Sequence, residues 1–422
     1  MKERRNIRVD YLARVEGQGA LDITFDADAC DVKLKIFEPP RFFEAFLEGR
    51  SYDEVHELTS RICGICPVAH QITSLRAVEN ALGLEVSRQT RNLRKLLALS
   101  AIINSHVLSL YVLSAPDYLG QDGLFSLRKK QPQLVKRALK LKKLSNEIGD
   151  VIGGRAVHPV YAVLNGFTCI PTRDQIAGLK ARLQDAQKDA LETVRLFGRL
   201  DYPELSGGTE QLAISKKGEY AINEGMMRST GGLLSPEAEY RQHVKEDQIL
   251  YSYAKGSALS GSRTFLVGPL ARVNINFGSL SDGAKKIAGE IGFAPPRHNP
   301  FDSLVARALE VAHSIDESIE LMDGLPLKEE VTTRPLEPRE AREGFALTEA
   351  PRGMLYHSFR FDRAGLVTYA DIVPPTAHNV RNIEKDLREL IGRYRDLPRA
   401  KLRLMCEMLV RAYDPCISCS VH

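Results

Sequence analysis

Little in the 422 residues points to a nucleotide, a nucleic acid or a secreted scaffold. No Gly-x-Gly-x-x-Gly follows a strand pattern and no Walker pattern occurs, so no phosphate cradle is legible. The formal net charge of +4 is small for this length and leaves no electrostatic footprint for nucleic acid. The seven cysteines lack the close, regular spacing of a disulfide framework, which favours a reducing cytoplasm. The start, Met1-Lys-Glu-Arg-Arg-Asn6, is charged and has no apolar signal segment. Internal repeats and low-complexity tracts are also missing. Charge itself is absent between Lys95 and Asp117, a stretch that approaches the length of a membrane span. It carries Ser100, Asn104, Ser105, His106 and Ser109, which suit a buried central helix better than lipid.

The chemistry that is present lies near the two ends. Arg61-Ile-Cys-Gly-Ile-Cys-Pro-Val-Ala-His70 and Asp414-Pro-Cys-Ile-Ser-Cys-Ser-Val-His422 each hold a Cys-x-x-Cys pair followed by a histidine. Two residues between cysteines let both sulfurs reach one ion, and four soft thiolates suit zinc, iron, nickel or an iron-sulfur cluster. Pairs in a zinc ribbon are separated by about 15–20 residues; these are far more distant. Closing so long a loop costs chain entropy that only a whole fold can repay. The expected architecture is therefore one composite domain, residues 1–422, with both terminal segments building a central metal site.

Periodicity gives the rest of the outline. Residues 7–37 alternate as a short antiparallel sheet, with Glu16 at the end of its first strand, where it also reads as a solvated carboxylate. Glu44 opens a helical pattern after Pro39-Pro40, a position favoured by the helix dipole. Cys63 and Cys66 fall where a loop becomes a helix, a setting that favours thiolate. His70 shares the helical face of Cys66 or is a core histidine. Residues 87–114 form a long helix, apolar all round in its later turns and stopped by Pro116. Asp117 follows as a turn residue or a site residue. Further helices are expected over 131–152, 173–199, 300–323, 379–395 and 399–412. The segment 201–233 reads as a surface excursion and 324–348 as a linker. Arg352 precedes a hairpin, 353–361 and 365–372, turning at Asp362-Arg-Ala-Gly365. The fold class is mainly α with peripheral antiparallel β, a long-helix bundle around the metal site.

The two cysteine strings resemble the paired signatures of nickel-iron hydrogenase large subunits. So do Arg14-Val-Glu-Gly-Gln-Gly19, Pro40-Arg-Phe-Phe-Glu44, Glu349-Ala-Pro-Arg-Gly353 and Val410-Arg-Ala-Tyr-Asp-Pro-Cys416, and the likeness extends over most of the chain. It is nearest to the cytoplasmic multisubunit branch of NAD(P)-linked hydrogenases and sulfhydrogenases. The resemblance implies nickel held by Cys63, Cys66, Cys416 and Cys419, with Cys66 and Cys419 shared with an iron that carries one carbonyl and two cyanides. It implies reversible cleavage of dihydrogen, with Cys416 handing a proton to Glu16. Arg352 stands by the open coordination position, oriented by Asp414, and Asp117 lies nearby. His70 is expected on a bridging sulfur; Pro351, Val373 and Pro374 border the diatomic ligands. A magnesium ion is expected on Glu44, His422 and a carbonyl of the 371–376 loop, assigned to Asp371. Gln18 stands where the family more often has histidine.

Electrons then need a route. Cys30, Cys169 and Cys406 are too few and too scattered to hold a cluster on four thiolates, so an iron-sulfur small subunit is required. The family adds flavin and iron-sulfur electron-transfer subunits that pass electrons to NAD(P) or ferredoxin. The chain stops at His422, where a maturation endopeptidase trims family precursors. The competing expectation is a non-catalytic relative in the quinone module of complex I; the retained cysteines, Arg352 and His422 argue against it.

Overall fold

The computed structural model describes residues 5–26, 29–261, 263–330 and 342–422. β1 (Arg5–Val9), β2 (Gly19–Phe25) and β3 (Cys30–Ile36) form an antiparallel sheet in which alternate residues are buried. Short helices α1 (Phe43–Leu47) and α2 (Val55–Ser60) lead to α3 (Pro67–Leu82), whose first turn takes Pro67 without losing a hydrogen bond. Ser87 caps α4 (Arg88–Val107), its hydroxyl accepting from Thr90 N at 3.0 Å. The helix then widens into a π-helical segment, Leu108–Ser114, and ends in α5 (Ala115–Tyr118). Pro116 thus enters the last turn instead of stopping the helix, because it sits among the first residues of α5, where no N–H is needed. Arg88–Tyr118 is long and apolar enough to cross a membrane, and 78% of its most apolar window is buried inside the fold.

α6 (Leu124–Lys130), α7 (Pro132–Gly153), the hairpin β4 (Ala162–Val163) and β5 (Gly166–Phe167), and α8 (Arg173–Phe197) follow. Thr172 and Gln175 cap α8 reciprocally. Part of the segment expected at the surface is interior. β6 (Glu210–Ser215) has four buried residues in succession, Gln211 to Ile214. It pairs with β7 (Met226–Ser229), which continues to β8 (Leu234–Ser235). α9 (Tyr240–His243), the hairpin β9 (Val244–Gln248) and β10 (Lys255–Leu259), and β11 (Phe265–Leu266) come next; β11 covers the other edge of β6 in parallel. Burial of this short run comes from long-range pairing, which its Gly- and Ser-rich surroundings do not announce.

α10 (Pro269–Asn276) and α11 (Asp282–Glu290) precede α12 (Ser303–Asp323), which is buried without a break from Ser303 to Ile315 and packs on α4 and α8. These helices share the main apolar core, with α7 and α14 (Arg399–Tyr413). Part of the expected linker, 331–341, lies outside the described residues, and the remainder includes strand. β12 (Arg342–Ala350), β13 (Gly353–Phe361) and β14 (Val367–Val373) make an antiparallel sheet against α3. α13 (Pro375–Tyr394), α14 and the single turn α15 (Ile417–Ser420) carry the chain back beneath β1–β3.

Candidate metal centre

Cys63 precedes α3 and Cys66 is its N-terminal boundary residue. At the other end, Asp414 takes a left-handed conformation, φ 55° and ψ 59°, which ends α14 and turns the chain so that Cys416 and Cys419 flank the start of α15. The four Sγ atoms lie within 4.8 Å of one another and every residue is buried. Cys63 to Cys416 is 3.4 Å, Cys66 to Cys419 is 3.3 Å and Cys416 to Cys419 is 2.9 Å. Ala69, Ala350 and Leu355 pack around them. Neighbouring S–H donors hold the Cys63 thiol well below its ordinary range, while burial pushes Cys416 and Cys419 well above theirs. Ligation of a metal would require all four sulfurs to give up their protons.

Glu16 reaches this cluster by backbone pairing. Ile417 N donates to Glu16 O at 3.2 Å, and Glu16 and Cys416 form an isolated bridge. Ser418 N donates to Glu16 Oε2 at 3.1 Å, and the Ser418 hydroxyl donates to Oε1. Gly17 makes the approach feasible: a Cβ there would lie 2.6 Å from both Ile417 Cβ and Glu38 Oε2, at a φ of +89°. Burial, then the Cys63 thiolate, raises the Glu16 carboxyl above its ordinary value.

Arg352 follows the turn after β12. Its Nε donates to Asp414 O at 2.8 Å and its Nη2 to Asp414 Oδ1 at 3.0 Å. Burial opposes the charge of this guanidinium, yet Asp414 first and the neighbouring sulfurs after it hold it well above its ordinary range. Arg307 braces the same corner through Ala412 O at 2.7 Å and Tyr413 O at 3.1 Å.

A second donor set lies beside the last residue. His422 Nδ1 donates to Cys419 O at 2.7 Å, and its Nε2 stands 3.5 Å from Glu44 Oε1. Ile372 N donates to Glu44 Oε1 at 2.8 Å. Burial opposes ionisation of Glu44, yet His422 and Lys255 bring its carboxyl down to about 2.

The family model for nickel-dependent hydrogenases matches residues 41–147 and 214–422. The chain belongs to the nickel-dependent hydrogenase family. It is the catalytic large subunit of a nickel-iron hydrogenase. It is 37% identical to sulfhydrogenase 1 subunit alpha of Pyrococcus furiosus, over 99% of this chain and 97% of that one. The subunit beta of the NAD-reducing hydrogenase HoxS of Cupriavidus necator is 25% identical over 99% and 95%. An NAD+-reducing [NiFe]-hydrogenase crystallised in its H2-reduced state shares the fold over 100% of both chains, with a TM-score of 0.89 at 24% identity.

The hydrogenase site fits a metal on its own geometry. Soft sulfurs converge from both ends, and three buried nitrogens beside them, Arg352 Nη1, His70 Nε2 and His422 Nε2, have no hydrogen-bond partner among the described residues. Other expected residues meet partners of their own. His70 Nδ1 lies 3.1 Å from His357 Nε2, and His357 Nδ1 lies 2.8 Å from Ser74 Oγ, while His70 Nε2 is left without a hydrogen-bond partner among the described residues. Burial lowers His70 to about 3, so the ring is neutral. Asp117 is bound by Arg14 and, at 2.7 Å, by Arg411 Nε, and Arg411 Nη1 donates to Ala13 O at 3.0 Å. Asp371 is one residue out of step. Its carboxylate is gripped by Arg241, and it pairs with Ser358 of β13. Backbone groups alternate along a strand, so the outward N–H of Ile372 brings that residue's carbonyl, not that of Asp371, to the Glu44 side.

Pro351, Val373 and Pro374 are all buried. Pro351 offers its carbonyl to Arg272, Val373 packs with Leu347, Met354 and Tyr356, and Pro374 bounds α13. Residues the sequence did not single out include Ser418, which sits between the last two cysteines, and Thr376, whose hydroxyl accepts from Cys416 N at 2.7 Å. Their position inside or beside the recognised strings was the available signal.

Proposed function

We propose that Cys63, Cys66, Cys416 and Cys419 would hold nickel and that Cys66 and Cys419 would also offer their sulfurs to an iron bearing one carbonyl and two cyanides. The observation that carries this is the convergence of four buried sulfurs within 4.8 Å beside three unpartnered buried nitrogens. Such a centre supplies the heterolytic cleavage of dihydrogen. Cys416 Sγ takes the proton and Glu16, hydrogen-bonded to Ser418 of the same loop, receives it. The raised Glu16 carboxyl suits a group that must alternate between proton acceptor and donor. Arg352, fixed by Asp414, presents a permanent cation beside the thiolates, where it favours negative charge as it develops. A magnesium ion, or another hard divalent ion, would take Glu44, His422 Nε2 and the Ile372 carbonyl.

Electrons leave through an iron-sulfur small subunit. Among the described residues the four cysteines are the sole group of three or more His, Cys, Asp or Glu side chains placed to share an ion, and Cys30, Cys169 and Cys406 are unpaired cysteines apart from it. Relatives named as alpha and beta subunits support a heteromultimer. Flavin and iron-sulfur subunits beyond the small one would deliver electrons to NAD(P) or ferredoxin, in the cytoplasm, and a maturation endopeptidase would act on the precursor. No membrane or nucleic acid takes part. Metal analysis of the purified complex, with hydrogen-dependent reduction of NAD(P) and of ferredoxin, tests this reading. Nickel and iron with reduction of either acceptor is expected; zinc, or no metal in a homogeneous mature sample, would overturn it.

A further inference from the structure

Arg352 is a flexible side chain on a turn, and the structure shows an unusual device holding that turn. Arg272, on α10, is fully buried, and each of its five N–H donors is used. Nε donates to Glu310 Oε1 at 2.6 Å and Nη2 to Glu310 Oε2 at 2.8 Å. Nη1 donates to Glu349 Oε2 at 3.0 Å and to Ala350 O at 2.9 Å, and Nη2 also donates to Pro351 O at 2.8 Å. One guanidinium therefore grips the two carbonyls that immediately precede Arg352.

The same short element meets the turn a second time. Gly268, at the start of α10 with φ +119°, passes so close that a Cβ there would lie 2.9 Å from Arg352 O. Arg272 N closes the first turn of α10 on Gly268 O at 2.9 Å, so the two contacts are parts of one rigid unit. That unit is itself anchored. Asn379 accepts from Val267 N at 2.9 Å and donates to Val267 O at 3.1 Å, while His106 Nε2 and the Tyr220 hydroxyl hold Glu310 at 2.7 and 2.6 Å.

We propose that Arg272 is a positioning residue for hydrogen turnover: it clamps Ala350 and Pro351, with Gly268 closing the other side, and so fixes where the Arg352 guanidinium stands. Lysine cannot replace it. An ammonium has three donors around one point and cannot span a carboxylate and two carbonyls at once. The proposal rests on the function above, in which Arg352 acts beside the metal centre.

The test is Arg272→Lys, which keeps the charge opposite Glu310 and removes the clamp. In the metal-free chain, amide exchange across residues 349–354 should quicken by about tenfold or more, while α4 and α12 keep their protection. In the loaded complex, nickel content should stay at the wild-type level while kcat falls by about tenfold or more and KM for hydrogen changes little. Gly268→Ala presses on the same turn from the other side and should give the same pattern; it decides the matter if Arg272→Lys does not fold. Wild-type exchange at 349–354, or quickened exchange with wild-type kcat, would overturn the proposal. Because exchange is read without metal, a clamp present in a protein that never turns over hydrogen would count against the function and not against the clamp.

Discussion

Glu16 owes its chemistry to its place: burial raises its carboxyl, and Ser418 keeps both oxygens against the loop that carries the last cysteines. Glu16→Gln preserves that hydrogen-bonded shape and removes the proton carrier. Nickel and iron content should be unchanged while hydrogen oxidation falls by about 10²–10⁴, the usual weight of a positioned acid or base; a loss smaller than about threefold in a loaded sample would exclude Glu16 from the proton path. Glu349 and Glu310 share Arg272, and they divide its charge unequally. Glu310 is held down at about 2 by Arg272 and His106, whereas burial pushes Glu349 up to about 7. The neutral form of Glu349 is the one the fold prefers, so its contribution is complete below the ordinary value of 4.5 and is lost as pH rises through about 7. The stability of Glu349→Gln relative to wild type should therefore improve by up to about 3 kcal/mol between about pH 5 and 9, in denaturant titrations of the metal-free chain. A pH-independent difference would contradict the buried neutral acid. The residues legible beforehand were those inside distinctive strings: the four cysteines, Glu16, Glu44, Arg352 and His422. Arg272 and His357 act through neighbours remote in sequence, and no spacing reveals such partners. Asp117 and Asp371 fell near the right strings, but only strand alternation and the facing arginines tell which way each points.

Helices α3 and α4 show how elements are tied before the site can form. Glu79 of α3 meets Arg94 of α4 through two hydrogen bonds of 2.6 and 2.7 Å, both side chains buried. Glu79 Oε1 also accepts from Asn165 N, and Arg94 donates to Val163 O, so the β4–β5 hairpin joins the pair. Removing one partner strands the other charge in the interior. Glu79→Ala should cost about 3–5 kcal/mol in urea unfolding, and a cost below about 1 kcal/mol would show that water or another group compensates Arg94. Long helices were legible because their periodicity is sustained over many turns: 131–152 and 173–199 became Pro132–Gly153 and Arg173–Phe197. The π-helical segment was not, since its wider turn preserves a simple apolar run. The buried β6 was missed for a related reason. A three-residue apolar run, Leu212 to Ile214, flanked by Gln211 and Ser215 looks the same on a surface loop as in a core strand until its partners, β7 and the remote β11, are known.

The whole molecule is organised by ligands contributed from opposite ends. Closing the chain on a metal should couple occupancy to the order of the last segment. Residues 414–422 of the metal-free chain are expected to exchange amide protons faster and to be trimmed by carboxypeptidase sooner than those of the loaded subunit. Equal protection in both states would mean that Glu16, Ser418 and Arg352 suffice to hold the terminus. Its wiring depends on other polypeptides, so the large subunit alone should pass no electrons from hydrogen to NAD(P). The most direct test of the catalytic account is infrared spectroscopy of the mature protein in the region where bound carbon monoxide and cyanide absorb and protein groups do not. One carbonyl band with two cyanide bands is the predicted result. An empty region in a homogeneous, mature sample that contains zinc or no metal would contradict it.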